Sequence, residues 1–428
     1  MRIPLASTQP FSNYIKFWIS QSLSLLGSGL TFPLLQLIAA VLLQANAAQI
    51  GFLVAVASLP SLLLGLFAGA WVDRQKRRPL LIVADLGRFL LLLLLTLRIL
   101  RHTLHIEQLY IGAFLAGILT LVSDVAYRSY LPSLVHRTRL LEANSHFEVS
   151  QSATETGGPG IAGALMQICT APFALVLGAF AFLVSASMVA TLPDVEPDVR
   201  QTGDCKPLLT EIHDGLQLVL TNRYLRAIMA SIATIGLFYS MLETVFLLHM
   251  TREFGFEPGL ISVVFTGGGI GFSLAAWLTR SLVQRFGFGL VLMGSLLVLG
   301  LGNLILALSL NTKMSVLLVL VIGYTLFGFG HTTYNIAQVS LRQAVTPNHL
   351  QGRMNATMEF ALWGIAPIGA LFGGFIGEWW GINTVIWITA VGQAAGICWL
   401  YFSPIRALRV HLPPVATIQP KKGHSSLV

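Results

Sequence analysis

The sequence from Gly69 to Pro79 is Gly-Ala-Trp-Val-Asp-Arg-Gln-Lys-Arg-Arg-Pro, a charged connection between apolar stretches near 48–71 and 79–100. About 20 apolar residues are enough for a helix to cross the roughly 30 Å hydrocarbon core of a bilayer. The same alternation of a long apolar stretch and a polar connection continues along the chain in both directions. It predicts a bundle of membrane-spanning helices.

Twelve such stretches occur, six on each side of a longer polar segment. They lie near 17–43, 48–71, 79–100, 107–131, 142–167, 171–192, 225–251, 258–282, 287–309, 314–340, 350–377 and 382–403. Only 10% of the 428 residues are charged, against about 25% in an ordinary soluble domain. Because backbone groups in lipid need partners within their own segment, helices are favoured over strands. We predict an all-α membrane protein of twelve transmembrane helices in two six-helix pseudo-repeats.

The positive charge of the chain is concentrated in every second connection. Of the 26 Lys and Arg residues, 21 fall on one side of the predicted bundle, which is typical of cytoplasmic loops. This distribution argues against nucleic acid as a partner of the basic chain. We expect a multi-pass protein of the inner, cytoplasmic membrane with both termini in the cytoplasm. The three cysteines show no metal-ligand spacing, and no metal or cofactor is expected.

One long polar segment divides the chain into domains. We predict an N-terminal six-helix bundle over residues 1–192, a cytoplasmic linker over 193–222, a C-terminal bundle over 223–404 and a cytoplasmic tail over 405–428. The second half of the linker has apolar residues at helical spacing. It predicts an amphipathic helix on the membrane surface, and a simple tether is the alternative. The apolar residues are Leu208, Leu209, Ile212, Leu216, Val219 and Leu220.

The two halves share an internal repeat. Asn144, Glu148, Gly158 and Gly163 of the fifth stretch recur at identical spacing as Asn355, Glu359, Gly369 and Gly374 of the eleventh. Repeated halves are typical of secondary transporters, which bind substrate between the repeats. The repeated pair Glu148 and Glu359 is expected to hold helix starts or the charged connection in place.

The connection at residues 69–79 places one acid beside four bases, an ion cluster that can hold two helices together and release them. Ordinary cytoplasmic loop charge would explain the bases but not their order after Gly and Asp. The segment resembles the signature loop of the major facilitator superfamily. The resemblance implies a gating role, stabilising one face of an alternating-access cycle, for Gly69, Asp73, Arg74, Arg77 and Arg78.

The fifth stretch contains Gly158-Pro159-Gly160-Ile161-Ala162-Gly163. Glycines allow close helix packing, and proline favours a kink. The segment resembles the antiporter motif of the superfamily, which implies export and assigns the kink to Gly158, Pro159 and Gly163. Helix packing alone is the alternative interpretation.

Further segments narrow the resemblance to one branch. Residues 131–135, 211–225 and 346–355 are similar to the enterobactin-exporter and macrolide-efflux-like branch of the superfamily. This similarity implies a proton-coupled exporter of a bulky amphiphilic metabolite or drug, with small-molecule substrate, protons and the bilayer as partners, and we expect a monomer. A proton-coupled importer of a small organic solute and a non-transporting sensor are the alternatives.

Acidic residues within the apolar stretches are candidates for proton coupling, because ionisable groups inside a membrane are costly. Glu155 and Glu243 have no basic residue within one helical turn. Each is either a proton carrier or a hydrogen-bonded group in a helix contact. Asp124 lies four residues before Arg128, and the two are expected to pair unless Asp124 joins the charged connection through Arg77. Asp85 and Arg88 form a second expected pair.

In the superfamily, the first, fourth, seventh and tenth spans line a central cavity. The resemblance therefore assigns as cavity candidates Gln21, Gln36, Tyr239, His331, Tyr334, Asn335 and Gln338. The last four share one helical face, and a hydrogen-bonded seam between helices is the alternative. The chain has no nucleotide-binding glycine-lysine loop and no Gly-x-Ser-x-Gly elbow, so we do not expect an enzyme.

Overall fold

The computed structural model describes residues 11–72, 75–135, 140–193, 208–309, 316–347 and 350–409. All regular elements in these ranges are helices. They are α1 Phe11–Leu37, α2 Ala47–Val72, α3 Arg77–Leu100, α4 Ile106–Leu134, α5 Leu140–Ile168, α6 Ala171–Ala190, α7 Leu208–Thr221, α8 Arg223–Leu248, α9 Pro258–Phe286, α10 Phe288–Leu308, α11 Val316–Val345, α12 Gln351–Trp363, α13 Ala366–Trp380 and α14 Ile382–Tyr401. Short π-helical turns, Ile38–Leu42 and His249–Glu253, extend α1 and α8.

In the described part of the chain, eleven helical segments are long and apolar enough to cross a membrane. Helices α12 and α13 count as one of these, because only a short break at Gly364 and Ile365 separates them. Helix α5 is not among the eleven. It has 29 residues but carries Glu142, Glu148 and Glu155. The predicted all-α membrane fold is confirmed.

The outer surface of the bundle is apolar. Large side chains such as Phe173, Trp277 and Trp379 are 67%, 77% and 77% exposed. Exposed aromatic residues in this number would be a liability in water, and they fit contact with lipid. The free cysteines Cys169 and Cys398 are also exposed, while Cys205 lies outside the described residues.

The six spans of each half pack in the same pattern. Helix α1 contacts α5 and α6, and its counterpart α8 contacts α13 and α14; α3 packs between α4 and α6, and α10 between α11 and α14. The halves meet through two equivalent pairs, α2 with α13 and α5 with α9. The internal repeat therefore corresponds to a pseudo-twofold arrangement of helices.

Two faces of the bundle are distinguished by their connections. One face, which we term the far face, carries the α1–α2, α3–α4, α5–α6, α8–α9 and α13–α14 connections. The opposite face carries the α2–α3 connection and α7, and we term it the linker face. Helix α7 packs against α12 and α8. Asn222 then caps α8 by accepting hydrogen bonds from the backbone N–H of Tyr224, at 2.9 Å, and of Leu225, at 3.3 Å.

The packing of α7 differs from the sequence expectation. Leu218 and Val219 are buried against the C-terminal half, whereas Leu216 and Leu220 are 42% and 43% exposed. Gly215 lies so close to α12 that a side chain there would meet the Thr357 hydroxyl at 2.7 Å. Helix α7, which is predicted to lie on the membrane surface, therefore also packs against protein, because one of its sides contacts α12.

A buried ion pair connects four helices of the N-terminal half. Arg88 forms an ion pair with Asp85 on α3, and the two side chains are 3% and 1% exposed. Asp85 also accepts hydrogen bonds from Ser24 of α1, at 2.9 Å, and from Ser185 of α6, at 2.6 Å. The guanidinium of Arg88 donates a hydrogen bond to the Thr120 hydroxyl of α4, at 3.5 Å, and lies 4.4 Å from the centre of the Phe182 ring. The predicted Asp85–Arg88 pair is confirmed, and its surroundings satisfy both charges.

We expect Arg88→Met to lower the free energy of unfolding by about 3–5 kcal/mol, because it leaves the Asp85 carboxylate buried without its counter-charge. Arg128→Met serves as the comparison. Its ion pair with Glu359 is half-exposed, and its loss should cost less than about 1 kcal/mol. The unfolding midpoints of the two variants in detergent, followed by fluorescence, measure the difference. Equal midpoints would contradict a structural role for the buried pair.

Candidate functional site

A small cavity lies between the two halves near the middle of the bundle. It has about 70 Å³ of space for water. The lining side chains come from α1, α5, α8, α9 and α11, and so from both halves. They are Pro33, Gln36, Leu37, Pro159, Tyr239, Leu242, Glu243, Phe246, Leu247, Phe265, Tyr324 and Phe327. A site at the interface of two repeats is where secondary transporters bind their substrates.

Aromatic rings form one wall of the cavity. Phe246 stacks on Tyr324, with ring centroids 5.1 Å apart, and Tyr324 stacks on Phe327 at 5.4 Å. Phe265 meets Tyr324 edge-on at 5.3 Å, and Tyr239 stacks on Phe327 at 6.0 Å. All five rings belong to the C-terminal half. We term them the aromatic wall.

Glu243 is the only charged residue among the described residues that line the cavity. It lies on α8 one turn after Tyr239 and one turn before Phe246, so the helical period places its carboxylate beside the aromatic wall. The side chain is exposed to the cavity, although the residues on either side of it along the helix are buried. The described ion pairs of the chain do not include it. Gln36 of α1 faces it from the other half.

The far-face side of the cavity is closed by contacts between helix backbones. A side chain at Gly163 of α5 would meet the Pro258 carbonyl oxygen of α9 at 2.8 Å, and one at Gly374 of α13 would meet the Ala47 carbonyl oxygen of α2 at 2.8 Å. These two contacts are equivalent, because each pair of counterparts is separated by 211 residues. Only glycine permits such an approach. We term these contacts and the polar contacts around them the far-face seal.

Two side chains of the far-face seal bind the start of the facing helix. Gln167, at the end of α5, accepts a hydrogen bond from the Gly259 backbone N–H at 3.2 Å and donates one to Glu257 at 3.0 Å. Glu378, its counterpart near the end of α13, accepts a hydrogen bond from the Ala47 backbone N–H at 3.1 Å. Unpaired N–H groups at a helix start attract such acceptors, and the carboxylate gains further from the helix dipole.

Arg252 adds a third polar contact to the seal. It follows α8 and donates hydrogen bonds to the backbone carbonyl oxygens of Gln44, at 3.1 Å, and of Ala45. These carbonyls belong to the α1–α2 connection and lie just after the π-helical turn that extends α1, near the negative end of the helix dipole, which favours a cation. The α1–α2 connection is thus held at both ends by charges of the C-terminal half, Arg252 and Glu378.

Comparison with known proteins identifies the architecture. The sequence profile of the Major Facilitator Superfamily matches residues 17–249 and 228–422. The chain belongs to the major facilitator superfamily. An uncharacterised transporter of this type from Bacillus subtilis, YfiS, is 24% identical over 378 residues, 85% of this chain and 86% of that protein. Multidrug resistance protein 1 of the same organism is 24% identical over 255 residues, 58% of this chain and 61% of that protein.

Solved structures of superfamily transporters share the fold. The nucleoside transporter NupG superposes with a TM-score of 0.69 at 15% identity, over 92% of this chain and 100% of that one. A bacterial homologue of the iron transporter ferroportin in an inward-facing state superposes with a TM-score of 0.70 at 15% identity, over 91% and 98%. Membership of a transporter superfamily also agrees with the expectation that the chain is not an enzyme.

The structure brings only some of the predicted cavity residues together. Gln36, Tyr239 and Glu243 line the cavity. His331 stacks on Tyr239, with ring centroids 5.6 Å apart, next to the lining. Gln21, Tyr334 and Gln338 are 3%, 4% and 4% exposed and lie outside the lining, while Gln338 donates a hydrogen bond to the exposed Asn335 at 2.8 Å. This hydrogen bond lies within α11 and does not form a seam between helices, so the assignment of these residues stays a prediction.

The aromatic wall was not predicted, although the sequence carries a signal for it. Tyr324, Phe327 and His331 are spaced by three and four residues on α11, as are Tyr239, Glu243 and Phe246 on α8. Such spacing is ordinary in buried helices, so it does not distinguish a cavity wall from a core. The contacts of α5 and α9 with the cavity were also missed, and α4 does not contribute to its described lining.

The other predicted acidic residues either lie away from the cavity or have side chains that are not among the described ones. The side chains of Glu148 and Glu155 on α5 are not among the described ones. Asp124 on α4 is exposed and does not line the cavity. The ion pair formed by its neighbour Arg128 is with Glu359 of α12, at 3.1 Å. Glu359 thus bridges the two halves towards the linker face.

The predicted gating loop is described only in part. Gly69 lies near the end of α2, whereas Asp73 and Arg74 are outside the described residues. Arg77 begins α3. Arg78 donates hydrogen bonds to the carbonyl oxygens of Val189, at 3.3 Å, and Ala190, at 2.7 Å, which end α6. It therefore caps a helix of its own half, and the gating role of the loop stays a prediction.

The predicted kink segment takes part in packing on both sides. Gly158 approaches α1, where a side chain would meet the Gly29 carbonyl oxygen at 2.6 Å. Pro159 lines the cavity, and Gly163 belongs to the far-face seal. Helix α5 remains continuous through Pro159, and its broken counterpart is the α12–α13 span. The assignment of this segment to an antiporter motif stays a prediction.

We expect the double variant Arg252→Ala, Glu378→Ala to weaken the far-face seal, because it removes both charges from the ends of the α1–α2 connection. A combined loss of roughly 1 kcal/mol would raise the open population about fivefold. The reporter is Ser262→Cys in a background without native cysteines, since Ser262 is 9% exposed against α5. Its alkylation rate should rise about fivefold.

Arg98→Ala is the matched control for this measurement. It removes a cation from the far-face end of α3 without changing a contact between the halves. The alkylation rate of Cys at position 262 should stay at the parent value in this variant. An equal rise in both variants would show that loss of far-face charge alone, rather than loss of the seal, exposes the site.

Proposed function

We propose that this chain is a proton-coupled secondary transporter that exports a bulky amphiphilic compound by alternating access. The observation that carries the proposal is Glu243, the one carboxylate among the described residues that line a cavity between two pseudo-symmetric halves. Ionisable groups at such depth are costly and mark ion and substrate pathways. A carboxylate in an apolar interior also exchanges protons closer to neutral pH than one in water.

The geometry of the halves supports alternating access. The far-face seal consists of short contacts at one end of two helix pairs, so the halves can separate there without unpacking their own cores. Towards the linker face, the halves are joined by the half-exposed pair of Arg128 and Glu359. Rocking of one half against the other about the cavity would break one set of contacts while the other set forms.

Orientation and direction follow from charge and resemblance. The 21 basic residues on the linker-face side favour a cytoplasmic position of that face by the positive-inside rule. The chain would then lie in the cytoplasmic membrane, as a monomer, with both termini inside. The resemblance of residues 131–135, 211–225 and 346–355 to enterobactin exporters and macrolide-efflux proteins favours export, and so does the similarity to a multidrug resistance protein.

Everted vesicles with an imposed acidic interior test this function. Labelled erythromycin and a tricatecholate siderophore serve as trial cargo. We expect at least one of them to accumulate in the vesicles while protons leave. Glu243→Gln should reduce this accumulation at least about tenfold, because the variant removes the exchangeable proton. Glu253→Gln, an exposed carboxylate ten residues further along the same helical segment, should keep the parent rate.

Other outcomes would favour the other interpretations. Accumulation only in vesicles of the opposite orientation would make the chain an importer. Folded protein that moves neither compound in either orientation, and binds one of them, would favour a sensor. Transport that continues after the pH difference is collapsed would contradict proton coupling.

A further inference from the structure

We propose that the cargo of the central cavity is a lipophilic organic cation, held by Glu243 against the aromatic wall. This inference rests on the proposed function in taking the cavity as the cargo site. It goes beyond that function by fixing the charge of the cargo. The wall consists of Tyr239, Phe246, Phe265, Tyr324 and Phe327.

The ring faces favour positive charge. Aromatic faces carry negative electrostatic potential, and a cation within about 6 Å of ring centroids is attracted to them, most strongly when water is excluded. Phe246, Tyr324 and Phe327 are stacked on one another with their planes 10° and 17° apart. Tyr239 adds a nearly parallel ring, 13° from Phe327. The rings therefore form one stacked cluster next to Glu243 rather than a single aromatic contact.

The charge of the lining also favours a cation. Among the described lining residues there is no Lys or Arg, and Glu243 is the single acid. An anionic cargo would lie beside a carboxylate without a compensating base. A neutral cargo would leave the carboxyl group to be protonated, whereas a cation pairs directly with its ionised form. Arg88, a basic side chain deep within the described bundle, is already neutralised by Asp85.

All of these recognition groups belong to one half. The aromatic wall and Glu243 are on α8, α9 and α11, while the N-terminal half contributes Pro33, Gln36, Leu37 and Pro159. The cavity in this conformation has room only for water, so the halves must separate before a bulky cargo can enter. Since the cation site lies on one half, that separation widens the cavity without taking the site apart.

A single carboxylate that binds both proton and cargo would couple them by competition. A cation binds the ionised form of Glu243 and so displaces its proton. The other titratable side chains of the described cavity region are Tyr239 on α8 and Tyr324 and His331 on α11; α1 and α9 contribute none to the lining. On α5, Glu155 lies one turn before Pro159, and its side chain is not described.

The test uses two probe ions of the same shape and opposite charge, tetraphenylphosphonium and tetraphenylborate. Their binding to the purified full-length protein in detergent is measured by calorimetry. We expect the phosphonium to bind at least about tenfold more tightly than the borate. Glu243→Gln should remove at least about tenfold of phosphonium affinity and leave borate binding unchanged or stronger. Phosphonium affinity should rise with pH in the parent protein and not in this variant.

Two control variants distinguish the effect of the Glu243 charge on ion binding from the effects of cavity shape and of folding. Glu253→Gln should bind both ions as the parent does. Phe327→Leu keeps the cavity apolar but removes a ring, and it should weaken phosphonium binding about threefold to tenfold through lost cation–π attraction. Equal affinity of the parent for the two ions, preference for the borate, or binding of neither would overturn the inference.

A negative result in this binding test differs from a negative result in the transport test of the proposed function. Vesicles that export the siderophore, which carries no basic amine, from protein that does not prefer the phosphonium, would leave the transporter proposal intact and reject a cationic cargo. Selective, Glu243-dependent phosphonium binding by a protein that moves no cargo in vesicles would support the binding site and reject transport.

Discussion

The two halves of this transporter touch through helix backbones, and such contact is possible only where glycine leaves room. In lipid there is little hydrophobic force between helices, so close packing and hydrogen bonds must hold them together. Gly163 and Gly374 provide that approach at equivalent places, each against the first turn of the facing helix. Contacts made by short backbone distances and a few polar side chains can be broken and remade without rearranging either half. Every feature of the proposed cycle depends on this property.

Charged residues inside the bundle occur in two kinds of environment. Asp85 and Arg88 are enclosed in one half and satisfied by hydroxyl groups and by the Phe182 ring, so they fix the positions of α1, α3, α4 and α6. Glu243 lies in the space between the halves, beside rings rather than beside a base. The first arrangement resists change, because separating the pair would leave a buried charge. The second is open to a proton or a cation and suits a site that must change its occupant.

The spacing of the sequence repeat relates more of the residues that contact each other than the identical residues predicted from it. The spacing that relates Gly163 to Gly374 also relates Gln167 to Glu378 and Asn46 to Glu257, which lie together in the far-face seal. The sequence does not reveal these partners, because the residue types at equivalent positions differ between the halves. The sequence does not reveal the aromatic wall for another reason. Rings at helical spacing occur in any apolar core, and only the packing of α8, α9 and α11 shows that these rings border a cavity.

By itself, the sequence determined the helical spans, the division into two related halves and the residues able to pair along one helix, since these depend on hydrophobic length, charge distribution and local spacing. It did not decide which helix faces meet across the halves. Tertiary structure placed Arg128 next to Glu359 of the other half, closed the far face, and set Glu243 among rings. These contacts join residues far apart in the chain, and their geometry depends on how whole helices pack.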